Sequence, residues 1–488
     1  MSGRFHHKFI AWVLLLAVAA APIGIAASAV SAATPIGEAV STFATTQNMH
    51  PLGFSHRENT ASPFTANSDI AFWGNYAYQG NYDGFRIIDI SAPANPVEVL
   101  DYRECAGNQG DVIVWGNILV RSWNSPAPAG ATCDGEPVLP GVFGNWEGLH
   151  VFDISDPADP DLVASIETEC GSHTATGVPD PENDRLLIYN SPSSGACPGI
   201  DIIAVPLSNP GGASYLRFEP AGRSCHDTGV ILGEVKMAAC AGGNGFTVWS
   251  MDLASGGSLE DPMQLYSRTI SGVTIGHSAS FTWDGEVLIF GHEPGGGAGA
   301  RCQATSSVTD RSVFYFEALT GTLLGTFVHP RPQTATENCT WHNLNVVPTD
   351  KRYVMVAGNY QSGISVVEFT NPANAREVAY ADPAPLDPAT LVLGGDWSTY
   401  WYNGRIYESD VTRGLLVWDL SDNTVAGAMK FGHLNPQTQE TSFPFKGTAF
   451  GQSKPAADQK GFVVFGESEP GDNSGGGGGE DFGGEGGE

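Results

Sequence analysis

Apolar residues along this chain come in short runs broken by single polar positions, not in helical stripes. The clearest run is Phe-Arg-Ile-Ile-Asp-Ile-Ser at residues 85–91, and related runs begin near residues 149, 200, 246, 313, 364 and 415. Glycine precedes six of the seven copies (Gly84, Gly148, Gly199, Gly245, Gly363 and Gly414), and Ser312 precedes the other. Such runs between Gly, Pro, Asn and Asp clusters are strand signals. The basal spacing of roughly 45–51 residues suits four short strands and their turns, the size of a propeller blade. Two longer intervals hold insertions at residues 125–141 and 295–310. Blade six reads as strands at 342–347, 352–358, 363–370 and 376–380, separated by Pro348-Thr349-Asp350 and Asn371-Pro372-Ala373-Asn374. The expectation is an all-β, seven-bladed β-propeller of four-stranded blades over residues 67–434. A pair of β-sandwiches is the rival, and seven phased copies argue against it.

The ends read differently. Residues 1–33 form a signal peptide, with Arg4 and Lys8 before an apolar run at 9–21 and small residues near 30–33. An uncleaved anchor is the alternative, but Pro22 and Gly24 interrupt the run. Within the N-terminal segment 34–66, residues 49–56 read as an outer strand without a blade. They are expected to pair with blade seven near 426–433 and close the ring, which removes exposed edges. Residues 435–466 form a C-terminal extension. Residues 467–488 are a Gly/acidic tail with almost no apolar content, expected to be disordered.

Lys and Arg number 23 against 53 Asp and Glu, a net charge of −30. That balance argues against nucleic acid or an anionic membrane as partner, and no membrane span remains once the signal is removed. Eight cysteines in a secreted chain point to disulfides. Cys105, Cys170, Cys225 and Cys339 precede innermost strands, and Cys133, Cys197, Cys240 and Cys302 follow second strands, on the same face of a blade. The expected pairs are 105–133, 170–197, 225–240 and, between blades five and six, 302–339. Free thiols at Cys170, Cys225 and Cys339 would instead favour zinc or copper.

Aligning the innermost strands puts His173, His226, His277 and His342 at the starts of blades three to six, with Asp396 at blade seven. Innermost strands converge on a central channel, so equivalent positions face one axis. Four imidazoles and the Asp396 carboxylate are therefore candidate ligands for zinc, copper or iron. Asp69 and Asp111, or Asn67 and Gln109 in a register shifted by two residues, hold the matching places in blades one and two, and His292, Glu293, Asn359, Glu408 and Asp410 end second strands at the same mouth as outer or supporting groups. The alternative is a polar, water-filled channel. No motif for a catalytic serine, a nucleotide-binding loop or a helical zinc protease is present, so no catalytic residue is named and no nucleotide cofactor is expected. Trp397, Trp401 and Tyr402 read as core packing rather than a ligand-stacking platform.

The repeat phrase resembles the LVIVD repeat of bacterial and archaeal secreted and surface proteins. It does so best at residues 85–96 (Phe-Arg-Ile-Ile-Asp-Ile-Ser-Ala-Pro-Ala-Asn-Pro) and 149–160 (Leu-His-Val-Phe-Asp-Ile-Ser-Asp-Pro-Ala-Asp-Pro). The resemblance implies a secreted propeller and little about activity. Two functions stand open: an extracellular or cell-surface binding protein for an unknown ligand or protein, and a metal-dependent extracellular enzyme, oxidoreductase or hydrolase, working at the channel.

Overall fold

The computed structural model describes residues 36–57 and 66–447, and the expected signal peptide and Gly/acidic tail lie outside them. Seven antiparallel four-stranded blades form a propeller, and short strands from outside the blades extend three of their sheets to five. Its innermost strands are Asn67–Trp73, Val112–Trp115, Thr174–Asp180, Asp227–Leu232, Gly276–Phe281, Leu344–Val346 and Asp396–Tyr402. The repeat phrase is the third strand of every blade, for example Gly84–Asp89, Gly148–Asp153 and Gly414–Leu420.

The phrase is nearly all apolar because both of its faces are covered. In blade one, Phe85 and Ile87 pack with Val112 and Phe152 of blade two, while Ile88 packs with Tyr400 and Leu415 of blade seven. The preceding glycine has an equally local cause. A Cβ at Gly84 would stand 1.8 Å from the Tyr102 carbonyl oxygen, and one at Gly148 would stand 2.0 Å from that of Ile166, because the fourth strand presses against this position.

Met49–His56 pairs antiparallel with Gly414–Leu420, from Met49 opposite Leu420 to His56 opposite Gly414. It is the outer strand of blade seven, and it does not pair with residues 426–433 as the sequence suggested. After Leu420 the chain turns through the 3-10 segment Asn423–Val425, capped by the Asp422 carboxylate, and leaves the blade. It then crosses the end of the channel opposite the histidines, meeting blades one to six in turn. Trp73 pairs with His433, and the Asn435 amide satisfies both the N–H and the C=O of Val114 at 2.8 Å. Thr438 donates to the Gly177 carbonyl and pairs in parallel with Val230. The Ser442 hydroxyl accepts from the Glu234 N–H, the Phe443 N–H donates to the Trp283 carbonyl, and the Lys446 N–H to that of Asp350.

Disulfides join Cys105 to Cys133, Cys170 to Cys197, Cys225 to Cys240 and Cys302 to Cys339, the pairs expected from their positions in the blades. Among the described residues, no helix is long and apolar enough to cross a membrane.

Beneath the crossing segment, Gln437 donates to the buried Asp69 carboxylate (2.8 Å), which also accepts from Tyr400 (2.7 Å) and Ser398. Burial, and then the neighbouring Asp69 charge, push the Asp111 carboxyl well above the usual carboxylate range. The native state then binds more protons than the unfolded chain above an ordinary Asp pKa of about 3.9, so this pair lowers stability as pH rises from there.

Two outcomes follow. Asn435→Ala strands a buried N–H and C=O and is expected to destabilise the fold by about 2–4 kcal/mol in chemical denaturation. Asp111→Asn keeps an acceptor for the Ala175 N–H but removes the charge. It is expected to raise the thermal midpoint more at pH 8 than at pH 5, and equal shifts at both would contradict a raised Asp111 carboxyl.

Candidate metal centre

His173 and His226 immediately precede their innermost strands, His277 is the second residue of Gly276–Phe281, and His342 lies two residues before Leu344–Val346. Their shared phase in four successive blades brings the rings into an arc, with consecutive centroids 4.1, 4.0 and 4.2 Å apart. Glu293 follows the second strand of blade five, Val287–His292, and reaches into this arc. Its Oε2 lies 3.9 Å from His226 Nε2 and 3.8 Å from His277 Nε2, and its Oε1 lies 3.6 Å from His342 Nε2. Adjacent strand residues face opposite ways. His292 accordingly turns away, and its Nε2 accepts from the Thr274 N–H.

The other ring nitrogens set the tautomers. His342 Nδ1 donates to the Trp397 carbonyl. His173 Nδ1 donates to Asn124 Oδ1 at 2.8 Å, and His226 Nδ1 to Asp227 Oδ1 at 3.1 Å. With Nδ1 carrying the proton in these three rings, their Nε2 lone pairs point inward; His277 Nδ1 has no such partner among the described residues and lies 3.8 Å from Asp227 Oδ2. His173 Nε2 and His226 Nε2 face each other at 2.7 Å. Two lone pairs at that distance repel unless a cation, a proton or a metal ion, lies between them. The anchoring of Nδ1 by a carboxylate, an amide and a carbonyl is the outer-shell arrangement that orients metal-ligating histidines.

Burial drives the electrostatics. Desolvation, helped by the neighbouring imidazoles, holds His173 and His277 well below the usual histidine range and His342 down at about 3. His226 is also desolvated, but the Asp227 carboxylate overcomes this and raises it. Burial pushes Glu293 up to about 7, against the opposing pull of His226 and of the Tyr360 hydroxyl. Three of the four imidazoles are thus neutral donors.

Tyr360 carries a second level of support that no sequence signal announced. Its hydroxyl donates to Glu293 Oε1 at 2.8 Å, and its ring lies 4.3 Å from that of His342. Its φ of 53° is left-handed, a strained state for a tyrosine. Reciprocal 3.0 Å backbone hydrogen bonds with Asp396 hold it there. The Gly-rich loop closes over the pair: a Cβ at Gly297 would stand 2.3 Å from the Tyr360 hydroxyl and 2.5 Å from Glu293 Oε1.

Asp396 does not join the imidazoles. Its carboxyl lies with those of Glu408 and Asp410, their ligand atoms within 4.8 Å of one another. The pairing register of its strand shifts between Asp396 and Ser398. Trp397 then faces the centre, and Asp396 turns to its own blade. Burial and the Glu408 charge raise Asp396, and Asp410 is ion-paired with Arg413. Asp111 lies below the imidazole layer, lining with Gln437 a small cavity of about 20 Å³, enough for one water. The eight cysteines are all in disulfides and supply no thiolate.

On its other side the centre floors a cavity of about 400 Å³, walled by Tyr82, Trp397, Leu393, Ser224 and Thr274 among others. Trp401 and Tyr402 pack in the core as expected, but Trp397 lines this cavity. The 295–310 insertion contributes Gly296 and Ala298 to the wall, whereas no residue of 125–141 lines it.

The LVIVD repeat family matches residues 66–104 and 143–168, which are blade one and the outer half of blade two. No curated protein matches the sequence. Among solved structures, the β-propeller domain of Cps50 (Swd1) from Myceliophteria thermophila is similar at 11% identity, with a TM-score of 0.45, covering 75% of this chain and 100% of that one. The chain carries LVIVD repeats in a seven-bladed β-propeller.

Proposed function

We propose that this protein is a secreted or cell-surface binding propeller that holds a transition-metal ion on His226, His277, His342 and Glu293, with His173 beside them, and offers it to a small extracellular ligand in the cavity above. The observation that carries this reading is the convergence of the Nε2 atoms of His226, His277 and His342 on one buried carboxylate, with the outer nitrogens of His226 and His342 anchored. Tetrahedral bonds of 2.0–2.1 Å place ligand atoms about 3.3–3.4 Å apart. The ligand atoms of His277, His342 and Glu293 already lie within 4.8 Å of one another, and His226 Nε2 lies 3.9 Å from the same carboxylate. Imidazole with carboxylate suits zinc, copper or iron. Four disulfides among the described residues fit an oxidising compartment.

The size of the cavity favours a second reading, a metal-dependent oxidoreductase or hydrolase. Space of about 400 Å³ over the donor set leaves a coordination position for exchangeable water or substrate. A metal whose coordination the protein completes by itself would be structural and would speak against the enzyme reading.

Elemental analysis of the protein exported through an oxidising compartment is expected to find close to one zinc, copper or iron per chain. That metal should be lost from a folded variant with His173, His226, His277 and His342 all changed to Ala. Asp227→Asn and Tyr360→Phe are expected to weaken metal affinity about 10–100-fold without removing a ligand. Absence of metal from the parent after reconstitution with each ion would overturn the reading.

A further inference from the structure

The walls of the cavity say what kind of molecule would reach the centre. Among the described residues that line it, none is a lysine or arginine, and the one carboxylate is Glu293 on the floor. The chain as a whole carries a net charge of −30. A carboxylate or phosphate entering here loses its water and meets no charge-paired donor on the walls. One side is aromatic: Tyr82 and Trp397 stand edge to face, with centroids 6.3 Å apart and planes at 89°. Ala66 and Val411 pack behind them, so the wall is rigid where a ligand would lie against it. The uncharged polar residues Gln109, Ser193, Ser224 and Thr274 also line it. Polar groups that accept or donate without charge, beside an aromatic wall, match a ligand that is itself uncharged, planar and singly polar.

We infer that the cavity takes a small uncharged aromatic alcohol of the phenol class, its ring against Tyr82 and Trp397 and its oxygen toward the imidazole centre. The direction of the oxygen rests on the metal-centre reading above. The preference for an uncharged ring rests on the walls alone.

The test titrates 4-methylphenol, benzoate and cyclohexanol into the metal-reconstituted protein by calorimetry, with metal content measured on the same sample. 4-Methylphenol is expected to bind, cyclohexanol about tenfold more weakly for want of the aromatic contact, and benzoate more weakly than 4-methylphenol because its buried charge meets no paired donor on the walls. Trp397→Ala and, separately, the more exposed Tyr82→Ala are each expected to weaken 4-methylphenol about tenfold; Tyr82→Ala should do so while keeping the melting profile and the metal content, whereas Trp397 packs against His342 and its truncation also lowers the melting point. Benzoate binding as tightly as 4-methylphenol would overturn the inference. So would a metal-loaded protein that ignores 4-methylphenol, or 4-methylphenol binding that neither variant changes. If the protein holds no metal, the centre reading fails on its own, and the same titration of the metal-free protein decides the ligand class.

Discussion

The channel exists as a site only because the ring is closed, and the ring is closed by one antiparallel pairing, Met49–His56 on Gly414–Leu420. Strands from opposite ends of the propeller complete a single blade, so the innermost strands keep a common axis. The closure is fastened on both flanks. Met49 and Phe54 join the core shared by blades six and seven, beside Trp418 and Ile364. On the other side Arg57 pairs with Asp83 and Asp101 of blade one, and Arg86 of that blade reaches back to Ser55. Arg86 is fully buried, and it is tolerated there because Glu98, Gln79 and Ser55 take its donors.

Once the axis is set, burial does the rest of the electrostatic work. Four imidazoles within about 4 Å of their neighbours cannot all be charged away from water. Burial keeps three of them neutral while Asp227 draws a proton to His226. The outcome is a cluster rich in acceptors and poor in donors, which is the condition that favours a bound cation. The segment at 433–447 shuts the far end of the channel, so the low dielectric is kept on one side and access is confined to the other. Tyr360, held at a positive φ, orients Glu293 within this frame.

Much of this was legible in residue order. Seven phased copies with a glycine before most of them indicate blades, because the third strand is covered on both faces and crowded at its first residue. The cysteine pairs could be read from their places at strand ends, and the four histidines from their common phase. Asp396 shared that phase and still went elsewhere, because a register shift at one residue turns a side chain from the channel to its own blade. Glu293 sat beside His292 in the sequence with nothing to say which of the two faces inward.

By itself, then, the sequence determined whatever is local or periodic: strand-length runs, blade count, the cysteines at matching strand ends, and the imidazoles at equivalent places in the repeat. Only the tertiary structure decided what depends on contacts between distant residues. The strand at 49–56 found its edge on 414–420, the segment after Leu434 closed the far end of the channel, and Tyr360 and Asp227 took up their places around the histidines. Periodicity places a residue on a strand, but the partner across a closed ring is chosen by packing and hydrogen-bond satisfaction among segments hundreds of residues apart.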